Sequence, residues 1–265
     1  MRNTNEKIEE IKQHGYDLDF GTVFNHAFEC YKKIALNAGA AFLILSILLG
    51  IVCFAVVFGL IGIGFSIENM KEFDITSFTI IGIIVYAVMI ILISCLVSPF
   101  NAGLLKMAQN ASKNEEISLG ISFSYYSSSY FMDIVLTTFV LSVFTTISAV
   151  GLELVGYKIL GTFVNLCISF MTFLAIPFVI FGGLKPMEAI QASITIVSKQ
   201  FFIILGLLIV SGLFSALGIF AFCIGIFFTI PFLNAMTYSI YATIMNDDEE
   251  EIETADNSEN EVVPE

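Results

Sequence analysis

The stretch "FFIILGLLIVSGLFSALGIFAFCIGIFFTIPFLNAMTYSIYATIM", Phe201 to Met245, decides the fold. It runs for 45 residues without a charged side chain. As one helix it would be about 67 Å long, roughly twice the hydrocarbon thickness of a bilayer. It must fold back, and Gly218 and Gly225 mark the expected turn. The returning half carries Pro231-Phe232 within an apolar run.

Working outward, the same texture recurs. The chain has 265 residues, 57% of them hydrophobic and 13% charged, with mean hydropathy +0.89. Soluble domains are nearer one quarter charged. Long uncharged runs predict an all-α, polytopic integral membrane protein and exclude a large soluble core. Six transmembrane helices are expected, at about Leu36–Phe65, Phe78–Lys106, Phe131–Val150, Ile159–Phe181, Phe201–Ala221 and Cys223–Met245. They divide the chain into a polar N-terminal segment (1–18), a six-span membrane domain (19–246) and an acidic tail (247–265).

The net charge of −13 is concentrated at one end: ten of the 24 acidic residues lie between Asp247 and Glu265, with no basic residue among them. That tail cannot bury apolar surface and reads as disordered; it is either a solvated tail or a docking segment for a basic protein partner. No basic cluster points to nucleic acid. Of the 11 basic residues, Arg2, Lys7, Lys12, Lys32, Lys33, Lys106, Lys113, Lys185 and Lys199 fall on one side of a six-span chain, leaving Lys71 and Lys158 on the other. The positive-inside bias then places both termini in the cytoplasm. The N-terminal 33 residues lack the pattern of a signal peptide, so the first span is expected to direct insertion.

A short amphipathic stretch precedes each odd-numbered span. In "DFGTVFNHAFECYKK" (Asp19–Lys33), Phe20, Val23, Phe24, Ala27, Phe28 and Tyr31 recur at helical spacing behind an Asp19 N-cap. In "SLGISFSYYSSSY" (Ser118–Tyr130) the stripe is Leu119, Phe123, Tyr126 and Tyr130. In "KPMEAIQASITIVSK" (Lys185–Lys199) it is Met187, Ile190, Ile194 and Val197, with Pro186 suited to the first helical turn. Such helices lie in the membrane interface or pack on the protein itself. Each even-numbered span carries one Pro-Phe: Pro99-Phe100, Pro177-Phe178 and Pro231-Phe232. The chain thus reads as three interfacial-helix-plus-hairpin repeats in parallel orientation, with a proline kink in three spans.

Proline removes a helical hydrogen bond and crowds the preceding turn, and in lipid the freed carbonyl needs another partner. The three kinks either serve packing or open a cytoplasmic vestibule lined by Pro99, Asn101, Pro177, Pro231 and Asn234. No catalytic, cofactor-binding or metal-binding residue is assigned. No ionisable residue falls mid-span, which argues against a proton-coupled carrier and leaves no acid–base pair for an enzyme. His14 and His26 lack ligand-spaced partners. The five cysteines form no CxxC and read as small apolar side chains. The phosphate-loop, dinucleotide, zinc-protease and serine-elbow motifs are absent from the sequence, and no serine–histidine pairing is evident in it.

Two segments, "IPFVIFGGLKPMEAIQASITIVSKQFFIILGLLIV" (Ile176–Val210) and "FTIPFLNAMTYSIYATI" (Phe228–Ile244), resemble the uncharacterised bacterial six-span inner-membrane proteins of the YciC type. They are also similar to the membrane domain fused to some bacterial glycerophosphodiester phosphodiesterases. The likeness extends loosely over Asp19–Met245 and implies a six-span module of the bacterial cytoplasmic membrane. The phosphodiesterase catalytic domain is missing, so the resemblance carries over no catalytic residue. Two functions follow as expectations: a non-enzymatic structural or regulatory module that binds partners or organises lipid, and a transporter or channel for a lipid or small neutral solute.

Overall fold

In the computed structural model, residues 4–62, 75–218 and 224–245 are described. The expected turn between the last two apolar segments falls at 219–223, and the acidic tail at 247–265, both outside the described residues.

The described chain is helical throughout: α1 (Thr4–His14), α2 (Phe20–Gly62), α3 (Ile75–Ser112), α4 (Phe131–Leu154), α5 (Lys158–Thr172), α6 (Ala175–Ile180), α7 (Pro186–Lys199), α8 (Phe201–Leu217), α9 (Ile224–Thr229) and α10 (Pro231–Met245). A 3-10 helix, Leu119–Ser127, links α3 to α4. Among the described residues, four stretches are long and apolar enough to cross a membrane: Phe20–Val52, Gly82–Ser112, Phe131–Leu154 and Lys158–Ile180. The bent pair α7–α8 makes a fifth if counted as one. The chain is therefore an all-α protein with several membrane-crossing helices.

Local chemistry sets the helix ends. Asp19 caps α2, its Oδ1 accepting the Thr22 amide at 2.6 Å, as the sequence predicts. At the end of α3, Asn114 takes a left-handed conformation (φ 55°) while the Glu115 amide reaches back to the Asn110 carbonyl at 2.8 Å. Gly156 ends α4 the same way (φ 88°), with Tyr157 donating to the Leu152 carbonyl at 2.8 Å. Both are left-handed C-terminal caps in which a residue tolerating positive φ satisfies the last carbonyls. Pro186 opens α7, and the Glu188 carboxylate accepts the Lys185 amide at 3.3 Å.

The expected interfacial stretches take three different forms. Asp19–Lys33 is not a separate element, because no proline interrupts α2 and no glycine lies between Gly21 and Gly39, and the helix continues for 43 residues. Its stripe is packed on the protein: Val23 and Ala27 are buried, and Phe24, Phe28 and Tyr31 meet Phe214 of α8 and Phe232 of α10. Ser118–Tyr130 becomes the 3-10 helix, held by Phe123 against Phe100 and by Tyr126 Oη donating to the Leu96 carbonyl at 2.6 Å. Only Lys185–Lys199 forms a separate α-helix, α7, which meets α8 at 100°. Its expected stripe divides, with Ile190 and Val197 buried and Met187 and Ile194 exposed.

Successive long helices run antiparallel. His26 and Lys33 of α2 meet Ser112 and Ala111 of α3, whereas Phe42 meets Phe100. Along α10 the order is likewise reversed: His26 meets Ser239 and Tyr31 meets Phe232, while Gly39 lies under Phe228 of α9. A side chain at Gly39 would overlap that ring. The buried core gathers at one end of the bundle. It comprises the stripe Val23, Ala27, Cys30, Ile34, Ala38 and Ala41 of α2, the segment 100–111 of α3, α7, and α10 from Phe232 to Ile244. At the other end large apolar side chains face outward, among them Ile51, Phe58, Ile84, Phe144, Ile147, Phe163 and Leu213. An apolar surface so extensive is stable against lipid and not against water.

Candidate functional site

The three prolines behave in two ways. Pro99 lies inside the unbroken α3. It leaves the Cys95 carbonyl without its helical donor, and Ser98 Oγ donates to that carbonyl at 3.1 Å. Pro177 and Pro231 instead follow interruptions, after Thr172 and after Thr229. At the first, the fully buried Ser193 of α7 bridges the gap: its Oγ donates to the Met171 carbonyl at 2.8 Å and accepts the Leu174 amide at 3.2 Å. At the second, Ser215 and Thr229 exchange hydroxyl-to-carbonyl bonds of 3.3 and 2.7 Å across the α8–α9 hairpin. Broken backbone is thus satisfied by hydroxyls from neighbouring helices.

α3, α6 and α10, which carry the prolines, touch one another. Pro99, Pro177, Pro231 and Asn234 are buried, whereas Asn101 is exposed, so the two asparagines sit in different environments. A hollow beside α7 lies elsewhere. A groove of about 530 Å³ runs between α1 and α7, with Glu9, Lys12, Glu188 and Thr195 along it. α1 docks there through the buried Ile8 and Ile11. The following turn is tied down by Tyr16 Oη donating to the Ile196 carbonyl at 3.0 Å and Gln200 Nε2 donating to the Tyr16 carbonyl at 2.6 Å. Burial pushes the Tyr16 phenol well above its ordinary range.

The structure also assembles a polar cluster that the sequence does not announce. His26 of α2 stands between two hydroxyls from different helices. Its Nδ1 is 2.9 Å from Ser239 Oγ of α10, and its Nε2 is 2.8 Å from Ser112 Oγ of α3. Cys30, one turn along α2, places Sγ 3.8 Å from Nε2. Tyr238 lies beside the imidazole ring. Lys33 closes the group, donating to the Ala111 carbonyl at 2.9 Å and to Asn114 Oδ1 at 2.6 Å. Ser239 and Cys30 are buried, while His26 and Ser112 are half-buried and Lys33 and Asn114 are exposed. The cluster therefore has a rigid floor and an open rim. The left-handed Asn114 holds the rim, because its backbone cap stops α3 just past Ser112.

Sequence separation hid this arrangement: His26 lies 86 residues from Ser112 and 213 from Ser239. The only local signal was a histidine and a cysteine four apart on an otherwise apolar stripe. Among the described residues, no group of three or more His, Cys, Asp or Glu side chains converges on a metal position. Comparison of the chain with protein-family models, with curated proteins and with solved structures gives no match.

Proposed function

We propose that this chain is a non-enzymatic, multi-pass module of the bacterial cytoplasmic membrane, which organises lipid or binds a protein partner. The observation that carries the reading is the division of the bundle into two tiers: a buried core at one end and outward-facing apolar side chains at the other. A helix of 43 residues is about 64 Å long, so α2 exceeds the hydrocarbon core by roughly 30 Å. The packed tier is then the part presented at the membrane surface.

Six passes, arranged as three hairpins, are part of the proposal. Four helices meet the length and composition of a span, and α8 with α9–α10 supplies a further antiparallel pair joined by Ser215 and Thr229. The mutual contact of the three proline-bearing helices supports the threefold repeat. The 100° bend between α7 and α8 supports an interfacial position for α7. Both termini on the cytoplasmic side is favoured by the meeting of Lys33 with Asn114, Lys199 with the Lys12 carbonyl and Lys185 with Asp133, which gathers basic residues at one end. The bacterial setting rests on the resemblance of Ile176–Val210 and Phe228–Ile244 to the six-span inner-membrane proteins. The acidic tail is the proposed docking segment for a protein partner.

Transport of a lipid or small neutral solute is the second reading. The interruptions before Pro177 and Pro231 favour it, because broken helices often frame substrate sites in carriers. Extraction from native membranes in nanodiscs, with mass spectrometry of everything retained, tests the first reading alongside solute flux in liposomes. Retained lipid or a stoichiometric protein, without flux, is the expected result. Flux that falls in Asn234→Leu would replace the module reading with transport.

A further inference from the structure

We propose that the His26 cluster is a nucleophilic site, in which Ser112 accepts an acyl group from an ester or thioester at the membrane surface. This goes beyond the module reading and would give the module a chemical activity. A serine hydroxyl is a weak nucleophile unless a base sits within hydrogen-bond reach and a third group fixes that base. All three parts are present. Ser112 Oγ lies 2.8 Å from His26 Nε2, and Ser239 Oγ lies 2.9 Å from Nδ1. Ser239 is fully buried, so it holds the imidazole from the floor of the site. In the productive tautomer Nδ1–H donates to Ser239 Oγ and Nε2 accepts from the Ser112 hydroxyl.

Access and charge favour Ser112 over the nearby thiol. Cys30 is 2% exposed, whereas Ser112 and His26 both reach the surface at the end of α3. Lys33 Nζ binds the carbonyl of Ala111, the residue preceding the nucleophile, which puts a positive charge beside the site. Around it Lys32, Lys33 and Lys113 alternate with Glu29, Glu115 and Glu116, Lys32 being paired with Glu29 at 2.7 Å, and the apolar tier lies below. A substrate with an acyl chain and a polar head fits that boundary.

The step balances without a cofactor. Ser112 Oγ attacks the acyl carbonyl as its proton passes to His26 Nε2. The tetrahedral oxyanion collapses, breaking the bond to the leaving alcohol or thiol, which takes the proton back from His26. Water, deprotonated by the same nitrogen, then releases the carboxylic acid and restores Ser112. Ser112 and His26 are the catalytic residues, and Ser239 is a positioning residue.

The test uses the full chain in nanodiscs and a fluorophosphonate probe, with adducts mapped by mass spectrometry from pH 5 to 9. The expected result is one adduct, on Ser112, forming at least tenfold faster than on the exposed Ser129 and slowing on acidification. His26→Gln should reduce that rate at least tenfold. Ser239→Ala should slow it and move its pH profile, with recovery in Ser239→Thr. Wild-type labelling of Ser112 no faster than of Ser129, or an acid-insensitive rate, would overturn the proposal without touching the module reading. An adduct on Cys30 in place of Ser112 would overturn it as well.

Discussion

At the residue scale, short hydroxyl side chains carry a structural role out of proportion to their size. Ser193 makes both bonds that bridge the α5–α6 interruption, and its own accessible surface is nil. Ser193→Ala would leave the Leu174 amide and the Met171 carbonyl without their partner, at a cost of about 1–3 kcal/mol. Thermal unfolding in detergent should show the corresponding fall in Tm. Asp19 offers a pH-dependent counterpart. Its bond to Thr22 holds the carboxyl below the usual carboxylate range. A depressed folded value means that the contribution is present above the unfolded pKa and is lost as pH falls through the folded one. Hydrogen exchange at the Thr22 amide should therefore accelerate on acidification in the wild type, and be fast and insensitive to pH in Asp19→Ala once intrinsic exchange is corrected.

At the element scale, the prolines show how a helix survives the loss of a donor. In α3 the helix stays continuous because Ser98 covers the Cys95 carbonyl. A double-mutant cycle isolates that relation. Ser98→Ala should destabilise the protein by about 1 kcal/mol when Pro99 is present. In the Pro99→Ala background the restored amide takes the carbonyl, so the same change should be nearly neutral. Additive effects in guanidinium unfolding would separate Ser98 from the proline. The elements also reveal a close approach unmarked in the sequence. A Cβ at Gly103 would collide with the Ser122 backbone, which is why the 3-10 helix can lie directly on α3. Backbone cannot yield as a flexible side chain can.

At the scale of the whole molecule, the two-tier bundle makes a prediction about sides. Asn114 lies at the Lys33 end, and Tyr157 lies in the α4–α5 turn at the far end. In a cysteine-free chain inserted in vesicles, Asn114→Cys and Tyr157→Cys should react with an impermeant maleimide from opposite faces, Asn114→Cys from the cytoplasmic one. Labelling of both from one face would break the proposed topology. The two tiers also separate the driving forces. Within hydrocarbon, helices associate through close packing and hydrogen bonds, because lipid is as apolar as leucine. In the packed tier Phe24, Phe28, Phe214 and Phe232 instead form one aromatic cluster, where ring burial and edge-on contacts hold the helices together.

The amino-acid sequence by itself determined the class and much of the layout. Uncharged runs of this length admit only helices in lipid, since every backbone group must be satisfied within the segment. The Asp19 cap, the Pro186 start and the helices around Phe131–Val150 and Ile159–Phe181 were legible for local reasons: a capping carboxylate, a fixed φ, a run of apolar residues. Tertiary structure decided what locality cannot carry. Asp19–Lys33 joined α2 because the Phe24–Phe28–Tyr31 face had Phe214 and Phe232 to pack against. Two prolines broke their helices and one did not, according to which hydroxyls were near. The meeting of His26 with Ser112 and Ser239 depended on three helices arriving at one point from separations of 86 and 213 residues. Hydrophobic period records which face a helix buries; it does not record which helix will meet that face.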